Sequence, residues 1–292
     1  MKFGTLYAYW TKDWSCDYQH YVKKAKELGF DILEISAGSL LTMSDMEIKR
    51  LKETAKEYEL AISSNIGPPK DKDVASADPQ IRRAGVQFLS DIMVAMDKLD
   101  SRSLVGVMYS YWPCEFLDLD KEAIWARGVE SVKELGKQAE SLGIEYCIEV
   151  VNRYETNVLN TCEEAIRYCR DVDNPNVKIL LDTFHMNIEE DNIADAIRLA
   201  GDLLGHLHVG EGNRKLPGQG ALPWLEIGKA LNDIRYSKGV VMEPFVQMGG
   251  DVGKDIKVWR DLTNGASLEQ MDENIKQSLV FLRHAFSNKE TM

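Results

Sequence analysis

Histidine, cysteine and positive charge are all in short supply in this chain. Its 292 residues include only five histidines, too few for a DNA-repair nuclease built on a histidine-rich metal cluster. The five cysteines, at 16, 114, 147, 162 and 169, are odd in number and show no CxxC spacing. That pattern excludes a disulfide framework and fits reduced thiols in a cytoplasm. Thirty-five basic residues face 47 acidic ones, a net charge of −12 that repels phosphate backbones and removes nucleic acid from the expected partners. No membrane span is visible, and Met1-Lys2 leads straight into an alternating segment instead of a hydrophobic leader. We therefore expect no membrane partner and a cytoplasmic location. Linkers rich in Pro, Gly or Ser are missing as well, so residues 1–292 read as a single catalytic domain with no place for a second to begin.

What is present is an ordinary globular composition, 44% hydrophobic and 28% charged, in which apolar strand-like runs alternate with helical patterns. The first pair is "FGTLYAYW" and a helix over 17–28, where Tyr21, Val22, Ala25 and Leu28 share one face; the second is "DILEIS" and a helix over about 44–58. "LAISSN" and "SLVGVM" follow, then "YCIEV", "VKILLD", "LLGHLHV" and "GVVMEP", with helices centred near 88, 131, 166, 196, 229 and 278. Leu28-Gly29-Phe30 and Leu142-Gly143-Ile144 place a glycine just past a helix end, where a left-handed cap turns the chain back into a strand. Eight strand–helix pairs predict an α/β fold with an all-parallel sheet and right-handed crossovers, the (β/α)8 TIM barrel. Longer segments follow the third, fourth, seventh and eighth strands, on the side where barrel enzymes build pockets, and the final "SNKETM" is expected to fray.

The last four apolar runs each close on a metal-type ligand: Glu149, Asp182, His208 and Glu243. One such residue at a strand end is unremarkable, but four consecutive strands of a barrel deliver their ends to one shared mouth. Three carboxylates and an imidazole converging there suit a divalent cation and leave coordination positions open for a substrate. His206 shares a strand face with His208 at period two, one layer deeper, and reads as a hydrogen-bonded core histidine.

Around this tetrad the strings "EVVNRYE", "LDTFHMNIEE", "GEGNR" and "MEPFVQMGG" resemble the ketose 3-epimerases, the D-tagatose and D-allulose (D-psicose) 3-epimerase family, and "AYW", "YSYWP", "LPWLEIG" and "IKVWRD" extend the resemblance over nearly the whole chain. The resemblance implies a xylose-isomerase-like barrel that inverts C3 of free ketohexoses. It carries the metal ligands onto Glu149, Asp182, His208 and Glu243, and the substrate-gripping polar residues onto Glu155, His185 and Arg214. It also implies one Mn²⁺ or Co²⁺ ion per subunit, with Mg²⁺ a further candidate, and a homodimer or homotetramer acting on a small ketose.

The chemistry gives these identities a reason. A C3 proton beside a ketone is hardly acidic, and its removal requires a polarised carbonyl and a stabilised cis-enediolate. Inversion then requires one carboxylate on each face of C3, the duty expected of Glu149 and Glu243. Aromatics in the early loops include Trp14 and Trp112, with Phe245 after the eighth strand; their flat faces suit the C4 to C6 end of a sugar without reading its hydroxyl stereochemistry. Ile66 and Leu6 are counted with this pocket. Leu6 stands where many members have an aromatic, and Gly212 replaces a small side chain, so both bear on sugar preference. Related reactions of the same superfamily, an aldose–ketose isomerase, an L-ribulose 3-epimerase or an inosose dehydratase, differ in their products.

Overall fold

The computed structural model describes residues 1–287. Apart from Ser287, the segment expected to fray lies outside the described residues. Eight strands, β1 (Lys2–Leu6), β2 (Ile32–Ser36), β3 (Ala61–Asn65), β4 (Ser103–Gly106), β5 (Glu145–Val150), β6 (Val177–Asp182), β7 (Leu204–Val209) and β8 (Gly239–Met242), pair in sequence order into a closed barrel. Every pairing is parallel, and β1 closes on β8 through Gly4 opposite Val241. The expected barrel is what the chain forms.

Ten α-helices are described: α1 (Tyr18–Glu27), α2 (Asp45–Glu57), α3 (Pro79–Leu99), α4 (Lys121–Leu142), α5 (Cys162–Val172), α6 (Thr183–Glu189), α7 (Ile193–Ala200), α8 (Trp224–Asp233), α9 (Gly250–Asp255) and α10 (Leu268–Ala285). Their starts follow the local chemistry. Asp17 caps α1, Ser44 and Glu47 form a reciprocal capping box on α2, and Gly143 ends α4 at φ 63°. Eight of the helices are those expected from periodicity. The other two, α6 and α9, are short segments in the βα loops after β6 and β8, and both bear on the mouth of the barrel. The expected first strand is also too long. Its Tyr7–Tyr9 portion forms a 3-10 turn because pairing with β2 ends at Leu6, and Tyr7 then turns its hydroxyl onto the Trp14 carbonyl at 2.5 Å.

Most of the apolar core lies between the sheet and the helices, whereas Val105, Cys147 and Leu180 form a separate small cluster. Cys147 and Leu180 lie two residues before Glu149 and Asp182, so the cluster sits inside the barrel beneath those carboxylates. Register carries the ligand-type residues to one level: Asp182 is opposite His208 and Val209 opposite Met242, the residue before Glu243. No described helix is long and apolar enough to cross a membrane.

Candidate metal centre and sugar pocket

Glu149, Asp182, His208 and Glu243 converge at the C-terminal mouth, each offering a ligand atom within 4.8 Å of the others and all of them buried. His208 Nδ1 is 3.6 Å from Glu149 Oε1 and 3.5 Å from Glu243 Oε1. The Asp182 carboxylate divides its work: Oδ1 caps α6 by accepting from the Phe184 N–H at 2.7 Å, leaving Oδ2 turned to the centre. Asp182 Oδ2 and His208 Nδ1 have no hydrogen-bond partner. Buried polar atoms left unpaired cost about 1–3 kcal/mol each. Two orphaned ligand atoms among closely spaced carboxylates are what a divalent cation would satisfy, so the donor set fits a hard or borderline metal ion.

Burial, with Glu243 and Asp182 nearby and against the pull of His208, pushes the Glu149 carboxyl up to about 8. Burial also raises Asp182. On His208, burial opposes the charge, but Glu243 and Glu34 outweigh it and raise its pKa well above the ordinary imidazole value.

Glu34 was not among the residues singled out from the sequence, and it is the most deeply tied member of the centre. Fully buried on β2, it holds His208 Nε2 at 2.8 Å through Oε1, accepts from Ser63 Oγ at 2.8 Å through Oε2, and lies 3.1 Å from His206 Nε2. Burial disfavours its charge, yet His208 and His206 hold it well below the usual carboxylate range. Glu34, His206 and His208 form a second compact group. A 2.8 Å contact is a hydrogen bond and leaves no space for an ion between its partners. The group instead orients His208, with Nε2 on Glu34 and Nδ1 toward the cluster, as outer carboxylates do for metal-binding histidines. His206 is buried as expected, but its Nε2, though 3.1 Å from Glu34 Oε2, makes no hydrogen bond of good geometry, so the expected hydrogen-bonded core histidine is met only in its burial. Asn65 Nδ2 links Glu34 Oε1 and Glu243 Oε1 at 3.3 Å each. Gly106, at φ 123°, makes room for that strand end, since a Cβ there would lie 2.2 Å from the Ile66 carbonyl oxygen.

A cavity of about 380 Å³ opens above the centre, within the usual range for small-molecule pockets. Glu149, Glu243, Glu155, His185 and Arg214 line it, as do Leu6, Trp14, Ile66, Trp112 and Phe245. Asp182 and His208 are outside this lining. The polar residues form one network. His185 Nδ1 accepts from the Asn152 backbone N–H at 3.1 Å, so the neutral ring carries its proton on Nε2, 3.8 Å from Asp182 Oδ2 and 3.9 Å from Glu149 Oε1. Burial holds His185 below the ordinary imidazole pKa. Glu155 accepts from Arg214 at 3.3 Å, from Asn152 Nδ2 at 3.2 Å and from the Trp112 indole N–H at 2.9 Å. Trp112 therefore holds Glu155 besides offering an apolar face.

Arg214 is buried, not a surface ion-pair residue. Its Nη1 has no hydrogen-bond partner and stands 3.7 Å from Asp182 and 3.8 Å from Glu243, while its Cζ lies 3.6 Å over the Phe184 ring. Its backbone sits at φ 63°, a costly conformation for a residue with a Cβ. Glu211 holds that loop in place. Its buried carboxylate accepts from Trp224 Nε1 at 2.7 Å and from the Gly218 N–H at 2.8 Å, and its carbonyl accepts from the Arg214 N–H at 2.8 Å. Gly212, beside it, is filled from outside: a Cβ there would lie 2.8 Å from Asn187 Nδ2.

Fold and site together define a class, a xylose isomerase-like TIM barrel, and a family model of that description matches residues 22–262. The chain is 48% identical over 285 residues to the D-psicose 3-epimerase of Ruminiclostridium cellulolyticum, covering 97% of each chain. It is 47% identical over 284 residues to the D-psicose 3-epimerase of Agrobacterium fabrum, covering 97% of this chain and 98% of that one. Among solved structures, D-psicose 3-epimerase with D-tagatose from Clostridium cellulolyticum H10 matches at a TM-score of 0.97 and 48% identity, covering 98% of this chain and 100% of that one. The chain belongs to the ketose 3-epimerase family of carbohydrate epimerases, as its motifs suggested.

Proposed function

We propose that the protein is a metal-dependent ketose 3-epimerase that interconverts C3 epimers of free ketohexoses, D-fructose with D-allulose and D-tagatose with D-sorbose. The observation that carries this reading is that Glu149, near the end of β5, and Glu243, just past β8, both stand within 3.6 Å of His208 Nδ1 and line one sugar-sized cavity. Glu149, Asp182, His208 and Glu243 would hold one Mn²⁺ or Co²⁺, or Mg²⁺. When bound, the ion supplies Lewis acidity beside the sugar oxygens and lowers the cost of a C3 carbanion.

The residues of this chain do the rest. One of Glu149 and Glu243 takes the C3 proton, and the other, carrying a proton, returns one to the opposite face; the roles exchange for the reverse direction. His185 Nε2–H and the unpartnered Arg214 Nη1 donate to O1 to O3, where negative charge gathers in the enediolate. Glu155, fixed by Trp112 and Asn152, keeps Arg214 aimed. The apolar walls exclude water around the far end of the sugar.

The chain acts as one catalytic unit in the cytoplasm, as a homodimer or homotetramer. Leu117, Leu119, Tyr154 and Trp259, all exposed and all in loops after β4, β5 and β8, support an assembly around the mouth. The test is to assay D-fructose, D-tagatose, D-allulose and L-ribulose side by side with added Mn²⁺, then after exhaustive chelation. C3 epimers alone should appear, and only with metal. An aldose product or loss of water would assign another reaction of the superfamily, and undiminished turnover after chelation would remove the metal from the account.

A further inference from the structure

The cavity leads away from the carboxylates in steps. Arg214, 3.8 Å from Glu243, has its Cζ 5.3 Å from the Phe245 ring; Phe245 meets Trp14 edge to face at 6.2 Å; and the Trp14 indole N–H donates to Asp255 Oδ2 at 2.8 Å. Leu6, Ile66, Val107 and Ile256 line the same cavity, whose remaining uncharged polar residues are Tyr7, Ser36 and Asn65. Four carboxylates line the cavity. Glu149, Glu155 and Glu243 stand with His185 and Arg214 at the inner end, and Asp255 is two aromatic rings away. Asp255 sits in α9, stitched to the loop after β1 by the Val252 N–H on the Lys12 carbonyl at 3.0 Å, so its position is built and not incidental.

Trp14 occupies only one oxygen of Asp255. The second, Oδ1, has no hydrogen-bond partner among the described residues, and Asp255 itself lines the cavity. A ketohexose held through O1 to O3 at the inner end brings a terminal hydroxyl toward the outer end, where the walls are mainly apolar. An unmatched hydroxyl there would lose its bond to water without replacement.

We propose that Asp255 is a specificity-determining residue whose Oδ1 accepts the hydrogen bond of the terminal hydroxyl of a six-carbon ketose. The inference rests on the ketose 3-epimerase reading. A five-carbon ketose is one carbon shorter and leaves this acceptor unused. A primary hydroxyl also turns freely about its last C–C bond, so Asp255 reads chain length while the apolar walls ignore the configuration at C4 and C5.

The competing explanation is that Asp255 only anchors Trp14, and a double-mutant cycle separates the two. We would measure kcat and KM for D-fructose and L-ribulose with the wild type, Asp255→Ala, Trp14→Phe and the double variant, the last two lacking the indole donor. Asp255→Ala should raise KM for D-fructose about tenfold or more, with a smaller change in kcat, and the rise should persist when residue 14 is already Phe. L-ribulose should be affected equally by Trp14→Phe and by the double variant. A D-fructose loss that vanishes in the Trp14→Phe background, or that falls equally on both sugars, would make Asp255 an anchor and overturn the proposal. Should Asp255→Ala fail to fold, Asp255→Leu in the Trp14→Phe background keeps the size and leaves neither donor nor acceptor; it should still raise KM selectively for D-fructose over Trp14→Phe alone, and no rise would count against the proposal. If the wild type inverts C3 of neither sugar, the epimerase reading fails and takes this inference with it. Epimerisation of both with an unmoved ratio removes the Asp255 inference alone.

Discussion

Of the cavities at the two ends of the barrel, the one at the N-terminal face is the larger, about 530 Å³ against about 380 Å³ at the mouth. Its lining includes Arg102, Glu145 and Lys238, but these charges are half-exposed and already matched: Lys238 pairs with Glu145, and Arg102 with Asp97 at 2.6 Å and Asp100 at 2.7 Å. At the mouth the reverse holds. Carboxylates, two histidines and an arginine lie buried 2.8 to 3.9 Å apart, and Asp182 Oδ2, His208 Nδ1 and Arg214 Nη1 have no hydrogen-bond partner. Charge in water is cheap to leave where it is, whereas buried and incomplete charge persists only where something completes it. Unsatisfied chemistry, more than volume, marks the site.

The largest way to break this contrast is to remove proton transfer while keeping side-chain size. Glu149→Gln or Glu243→Gln should each lower kcat/KM about 10²–10⁴-fold. Metal content must be measured beside the rate, and near-normal epimerisation by a metal-loaded variant would send the search to another base. Glu34→Gln comes next. It touches neither sugar nor ion in this account, yet it should weaken metal binding about 10–100-fold by freeing His208. Titration with Mn²⁺ would check it, and unchanged affinity would reduce Glu34 to a core residue.

A pH dependence separates the two ends further. Because burial pushes the metal-free Glu149 carboxyl up to about 8, a proton occupies it at neutral pH and a cation must displace it. Metal affinity should therefore fall at least tenfold per pH unit below about 8, and because the neighbouring carboxylates hold the His208 proton well above the ordinary imidazole range, it should go on rising above pH 8. Calorimetry in buffers of different ionisation enthalpy should detect the released proton, and buffer-independent heats would contradict the assignment. Smallest of all, Lys238→Ala at the N-terminal face should change stability by less than about 1 kcal/mol and leave kcat/KM unaltered. A marked loss of activity would mean that the lower cavity also serves the reaction.

How much of this was legible in the sequence follows the same division. Strand ends are local, so a carboxylate or histidine closing an apolar run could be read as facing the mouth, and Glu149, Asp182, His208 and Glu243 do meet there. Glu34 sits in mid-strand, and its partners lie on strands far away in sequence. The available signal was a carboxylate inside "DILEIS", which no solvated face explains. Trp112 was read as an apolar wall because its sequence says nothing of the indole bond to Glu155. Glu211 and Asp255 hold loops after β7 and β8, and loop contacts carry no periodicity to read. The turn at Tyr7–Tyr9 was hidden because its buried aromatics look like more strand.

The central claim is that separate acids serve the two faces of C3, and early-time epimerisation of D-fructose in D₂O with Mn²⁺ tests it most directly. The account predicts that the first-formed D-allulose carries solvent deuterium at C3 in nearly every molecule, while the D-fructose recovered at the same moment carries almost none and C1 is unlabelled. Product that keeps its original hydrogen, returned by a single base, or deuterium appearing at C1, would contradict it.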